Sequence, residues 1–383
     1  MAGKRSIFEE VGREPRGEPG RPAAAAPASA RIDRERPGAR SAVRLWLLVL
    51  FALVVAMIVV GGLTRLTDSG LSITEWRPVS GALPPLGAEA WQAEFERYRQ
   101  SPEYLNQNRG MTLEEFRRIF WWEWAHRQLG RVVGLVWAVG FAALWFTGRV
   151  PVGWAGRLWL LGGLGALQGA IGWWMVASGL VGERVDVASY RLAVHLGLAF
   201  AILGLITWFV LRLGRSAADL LQARRARERK LFGIATGLMH LAVVQILLGA
   251  LVAGLDAGRN YTDWPLMAGG FLPPGAFEIT PWWRNFFEND GLVQFLHRMA
   301  GYLLLAFGLV VWSRSRRSPV TTTRGAFAAM AGMLVLQVLI GIVTVMNSAP
   351  LALALLHQLG AVVLWVLILR ARFQAGYPQP QSV

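Results

Sequence analysis

The sequence predicts an all-α membrane protein with eight transmembrane helices, arranged as two tandem, pseudo-symmetric four-helix bundles. Three observations lead there. Of 383 residues, 54% are hydrophobic and only 16% are charged, a balance too apolar for a soluble chain of this length. Several apolar runs reach the roughly 20 residues that a helix needs to cross a bilayer, and the short alternating segments of a membrane barrel are absent. Finally, the motifs of the first half return in the second.

Taken in order, residues 1–41 are rich in Arg, Pro, Ala, Gly and Glu and carry almost no apolar run, so a disordered tail is expected. Its acids, among them Glu9, Glu10, Glu14 and Glu18, argue against a transit peptide. The first bundle occupies 42–211, with spans near 42–63, 126–146, 154–177 and 190–211. A basic connector, 212–230, follows. The second bundle occupies 231–371, with spans near 231–254, 292–312, 325–346 and 351–369, and 372–383 form a tail.

Orientation follows from charge. The 212–230 connector carries seven Lys/Arg against Asp219 and Glu228, and 314–324 carries four and no acid, whereas the loop after the first span has more acids than bases. Basic loops stay inside. Both termini are therefore expected in the cytoplasm and the two long loops outside, in a multi-pass membrane protein. The net charge of +15 is explained by these loops, so nucleic acid is not an expected partner.

The repeat is specific. Asp68, Gly70, Trp76 and Pro84–Pro85 recur as Asp256, Gly258, Trp264 and Pro273–Pro274. Gln168, Ile171 and Gly172 of the third span recur as Gln337, Ile340 and Gly341 of the seventh. His126 and Arg127 pair with His297 and Arg298, and His195 pairs with His357. An even number of spans per half makes these parallel repeats, related by an axis along the membrane normal.

Each half thus offers one histidine from its second helix and one from its fourth, near the outer surface. A lone imidazole in a bilayer is costly unless paired or ligating. Two imidazoles from facing helices suit the axial positions of a heme iron, although a single buried histidine is more often a satisfied core residue. Glycines nearby give a flat macrocycle room, and Arg127, Arg131 and Arg298 are placed to meet its propionates. His240 has no counterpart and is assigned no role. The chain has no cysteine, which excludes disulfides, thiolate catalysis, iron–sulfur clusters and covalent heme attachment. Glu123, one turn before His126, stands where Gln294 precedes His297. A carboxylate can move a proton and an amide cannot, so the first half reads as reactive and the second as a cofactor holder. The alternative is that Glu123 reaches interfacial water or hydrogen-bonds a ligand imidazole.

With these residues in view, the chain resembles the heme A synthase family, in the cysteine-free form of alphaproteobacteria and mitochondria. The stretches that carry the resemblance are GGLTRLTDSGLSITEWRPVSGALPPL (61–86), EEFRRIFWWEWAHRQLGR (114–131), AGLDAGRNYTDWPLMAGGFLPP (253–274), LHRMAGY (296–302) and LHQLG (356–360). It implies an oxidoreductase that takes the C8 methyl of heme O to a formyl group by successive hydroxylations, giving heme A. It implies a resident heme b on His297 and His357, and substrate heme O held by His126 and His195 with Arg127 and Arg131. Glu123 would be the catalytic residue beside the substrate. The implied partners are heme O and the lipid bilayer, with heme O synthase the candidate donor. The residues leave self-association open.

Two rival classes also use these features. A bis-histidine diheme b-type electron-transfer cytochrome accounts for four histidines but not for the Glu123/Gln294 difference. A transporter accounts for tandem repeats but should carry its polar groups near the bilayer midplane rather than at the outer ends.

Overall fold

The computed structural model describes residues 36–379 apart from residue 183. The expected N-terminal tail therefore lies, up to residue 35, outside the described residues. These hold twelve α-helices and no strands. Eight are long: α1 (Ala39–Leu66), α2 (Leu113–Phe146), α3 (Ala155–Val176), α4 (Ser189–Leu213), α5 (Arg229–Gly254), α6 (Asp290–Ser315), α7 (Thr321–Met346) and α8 (Leu351–Gly376). Seven are long and apolar enough to cross a membrane. The exception is α3, whose six glycines and Gln168 dilute its apolar character over 22 residues.

Helix ends depart from the sequence expectation where local chemistry extends them. The start of α2 is Leu113 rather than a point near 126. Thr112 and Glu115 form a reciprocal capping box there, which satisfies two of the otherwise orphaned N-terminal donors. The extra turns stand clear of the apolar run and present Phe116 and Phe120 to Trp91, Phe95, Tyr98 and Tyr104 of the preceding loop. Tyr98 and Phe116 are wholly buried, and each such aromatic contributes about 2 kcal/mol to holding the loop down. At the other end of the chain, α8 continues to Gly376 because Ala371, Phe373 and Ala375 are buried. The basic connector contains a short helix, Ala217–Arg225, with its own Ser216/Asp219 capping box. Residues 39–41, expected in the tail, begin α1, and Arg40 donates to the carbonyls of Arg212 (2.8 Å) and Arg215 (2.6 Å).

Helix α1 packs on α2 and α4, and α3 packs on the same two helices. Likewise α5 and α7 each pack on α6 and α8. Contacts between the two sets run from α4 to α5 and α8, and from α1 to α8. Leu203, Ile206, Leu238, Phe327 and Leu334 are fully buried along this shared core. Within a bilayer such association rests on close packing and interhelical hydrogen bonds rather than on burial from water. Among the side chains that supply such bonds to main-chain carbonyls are Trp46 to Val136 (3.0 Å), Trp365 to Phe200 (3.0 Å) and Gln358 to Ile58 (2.8 Å).

The repeat extends to the backbone. Asp68 and Asp256, just beyond α1 and α5, both adopt left-handed conformations, with φ 48° and 50°; aspartate tolerates this region better than most residues. Arg65 joins the equivalent pair, reaching Asp68 at 2.9 Å, Asp256 at 2.5 Å and also Asp186 at 3.5 Å. The loops after α1, α3 and α5 therefore meet at one end of the molecule.

Candidate functional site

Glu123 sits on α2 and is 3% exposed. A carboxylate has only acceptor sites, and four donors fill them. Oε2 accepts from Ser72 Oγ (2.8 Å) and the Ile73 N–H (2.7 Å). Oε1 accepts from Arg127 Nε (3.0 Å) and Nη2 (2.6 Å), one helical turn away. Arg127 also donates to the carbonyls of Ile73 (2.7 Å) and Glu75 (2.9 Å). A turn further along, Arg131 donates to the carbonyls of Arg77 and Pro78, both at 2.9 Å, and to Gln128 Oε1 at 3.1 Å. Most of the donors expected to face propionates are thus spent on the loop that crosses this end of the helices.

The second half repeats the clamp with one change of chemistry. Arg298 donates to the carbonyls of Tyr261 (2.7 Å), Asp263 (2.9 Å) and Leu266 (3.1 Å). Counting back from Trp76 and Trp264, Tyr261 and Asp263 match Ile73 and Glu75. Gln294, in the place of Glu123, donates to the carbonyls of Ala257 (2.8 Å) and Tyr261 (3.1 Å). So the carboxylate binds the N–H of the loop residue whose counterpart gives the amide its C=O. Glu123 and Gln294 are both buried against equivalent backbone, and only one of them can carry a proton away.

The four histidines expected to act as ligands are half-buried and occupy α2, α4, α6 and α8. In every case the preceding helix presents a glycine to the ring. A methyl group at Gly61 would lie 3.1 Å from Nε2 of His126. At Gly172, Gly249 and Gly341 it would lie 2.9, 3.0 and 2.9 Å from Cε1 of His195, His297 and His357. No larger residue fits without displacing the imidazole. His297 and His357 face each other across 6.3 Å between ring centroids, with planes 77° apart. Two metal–nitrogen bonds of about 2 Å, plus the distance from nitrogen to ring centre on each side, sum to about 6 Å. The centroid spacing therefore matches that of two imidazoles bound to one iron. His195 and Arg127 are the ionisable neighbours of His126, as His357 and Arg298 are of His297. His240 lies exposed on the outer face of α5. Among the described residues no group of three or more His, Cys, Asp or Glu is gathered to hold a bare metal ion.

Sequence reasoning missed several residues at these sites. Ser72 and Ile73 supply half of the donors to Glu123, and nothing in their identity marks them. Gln245 beside His297 was legible: its spacing to Gly249 repeats that of Gln168 to Gly172 and of Gln337 to Gly341.

These features define the class as a multi-pass, all-helical membrane protein with paired imidazoles between its helices. Residues 44–369 match the family model COX15-CtaA, described as cytochrome oxidase assembly protein, and the chain belongs to that family. It is 64% identical over 385 residues to the heme A synthase of Dinoroseobacter shibae, covering 100% of this chain and 99% of that one. Identity to the heme A synthase of Ruegeria pomeroyi is 63% over 385 residues, spanning 100% of both chains. For that of Paracoccus denitrificans it is 60% over 380 residues, covering 99% of this chain and 98% of the relative.

Proposed function

We propose that this chain acts as a heme A synthase: an oxidoreductase that converts heme O to heme A by taking the C8 methyl to a formyl group. The observation that carries the heme assignment is the 6.3 Å separation of the His297 and His357 rings. The family relationship, at 60–64% identity with 99–100% of the chain covered, supports the reaction.

In this reading His297 and His357 hold a resident heme b, which when bound supplies one-electron transfer. His126 and His195 hold substrate heme O. Glu123 takes protons released as the methyl is oxidised, and Ser72, Ile73 and Arg127 keep its carboxylate in one orientation. Gln294 keeps the same backbone contacts in the second half without proton chemistry. Arg127 and Arg131 position the loop over the substrate site, and the N–H groups their loop bonds leave over meet the propionates.

The helix pairings support two four-helix bundles, 42–211 and 231–371, with α3 completing eight spans. The basic stretches at 212–230 and 314–324 support cytoplasmic termini, and with them heme sites toward the outer face of the inner membrane. A diheme electron-transfer cytochrome is disfavoured by the buried carboxylate and by the relatives' shared identity as synthases. Pigment extraction from protein purified out of cells that make heme O tests the choice. Heme b together with heme O or heme A supports the synthase; heme b alone, at two per chain, overturns it.

A further inference from the structure

Three of the four imidazoles have an amide beside them, one helical turn before the glycine that faces the ring. Gln168 Nε2 is 3.2 Å from Nδ1 of His195 and donates to the His195 carbonyl at 3.0 Å. Gln245 stands in the same relation to His297, at 3.1 Å and 3.1 Å. Gln337 does so to His357, at 3.2 Å and 2.8 Å. In all three the amide oxygen is buried and has no hydrogen-bond partner. An orphaned buried acceptor costs about 1–3 kcal/mol, and the same orphan three times points to a missing donor. An imidazole that gives the Nε2 lone pair to iron carries its proton on Nδ1 and must donate it. The end of each amide now beside Nδ1 is its nitrogen, and a turn of the amide about its last bond brings the unpartnered oxygen to that atom as acceptor.

The fourth position differs. Four residues before Gly61 stands Met57. A methyl at Gly130, four residues after His126, would lie 3.8 Å from Met57 Cε, just as one at Gly301, four after His297, would lie 3.3 Å from Gln245 Nε2. Met57 thus occupies the amide's place and brings only a weakly accepting thioether sulfur for Nδ1–H. A thioether is also flexible and soft, and lets a neighbouring ring move.

We propose that Gln168, Gln245 and Gln337 are positioning residues that fix the rotation and tautomer of His195, His297 and His357. We propose that Met57 leaves His126 as the one exchangeable ligand, through which substrate heme enters and product heme leaves. The inference rests on the functional reading above. It adds a direction: the resident heme is held by two fixed rings, the substrate by one fixed and one mobile ring.

The test uses the full-length protein in detergent. Gln337→Leu removes the acceptor and should raise the midpoint potential of the low-spin heme, because the axial imidazole becomes less basic. Gln337→Glu, which can still accept, should leave the potential at or below that of the wild type. Met57→Gln should increase the heme retained through purification toward two per chain while slowing heme A formation severalfold. A wild-type potential in Gln337→Leu, loss of heme from both Gln337 variants, or unchanged retention in Met57→Gln overturns the proposal. Wild-type protein with no low-spin heme signal at all would instead overturn the functional reading on which it stands.

Discussion

Arg127 donates two hydrogen bonds to a single oxygen of Glu123, at 2.6 and 3.0 Å, and its counterpart Arg298 has only the Gln294 amide oxygen at 3.3 Å in that position. The two halves share a clamp on the same loop carbonyls and differ in whether a charge lies beneath it. In the proposed function, this one difference separates a site that moves protons from one that holds a cofactor.

Replacing Glu123 by Gln converts the first half to the chemistry of the second. Heme A output in cells that make heme O should fall by about 100-fold or more, the scale of a lost acid–base group. The low-spin spectrum of the resident heme should remain. Undiminished output would remove Glu123 from the chemistry.

The two arginines should differ in cost when removed. Arg127→Ala strands a buried carboxylate, worth about 3–5 kcal/mol. Arg298→Ala strands only carbonyls and an amide oxygen, worth about 1–3 kcal/mol. Thermal melting of the purified variants should rank Arg127→Ala as the less stable; equal melting would show that the ion pair adds nothing to the clamp.

Arg65 balances Asp68, Asp186 and Asp256 from the loops after α1, α3 and α5. Arg65→Ala leaves those carboxylates facing one another, and burial already pushes Asp186 above the ordinary carboxylate range. The variant should be destabilised near neutral pH and should recover part of the loss as the medium is acidified toward pH 5. A deficit unchanged with pH would show that the Arg65 contribution is packing alone.

Outside the membrane-spanning helices, Glu103 is 2% exposed beneath the loop aromatics and one of its oxygens is unpartnered. Burial pushes its carboxyl up to about 8, against a partial offset from the Tyr98 hydroxyl. Between about pH 4.5 and pH 8 the folded chain therefore holds a proton that the unfolded chain has released. Stability is full below that window, declines through it and is level above, by a few kcal/mol in all. Glu103→Gln should flatten the profile, measured as melting temperature against pH. A wild-type profile already flat from pH 5 to pH 9 would contradict the burial argument.

Much of this was legible in the residues. Span positions follow from apolar length, and the duplicated site follows from HR at 126–127 and 297–298 and from the lone histidines at 195 and 357. The Glu123/Gln294 difference was visible as a mismatch in an otherwise matching repeat. What could not be read was which groups the arginines would bind. Guanidinium suits propionate and carbonyl oxygen alike, and only the path of the loop decides that Ile73, Glu75, Arg77 and Pro78 come within reach. The early start of α2 is not visible in the apolar run, because the capping box and the aromatic cluster that set it lie outside that run. The composition of α3 also illustrates a limit: the glycines that admit neighbouring side chains, Gly162 under Trp137 and Gly172 under His195, are the residues that weaken its hydropathy.

The central claim is that His297 and His357 clasp one heme iron between them. Reduced-minus-oxidised spectra and low-temperature electron paramagnetic resonance of the purified wild type, His297→Ala and His357→Ala test it most directly. The account predicts a low-spin bis-imidazole signal in the wild type, lost in both variants while the protein stays folded by circular dichroism. The same signal persisting at full intensity in either variant would contradict it.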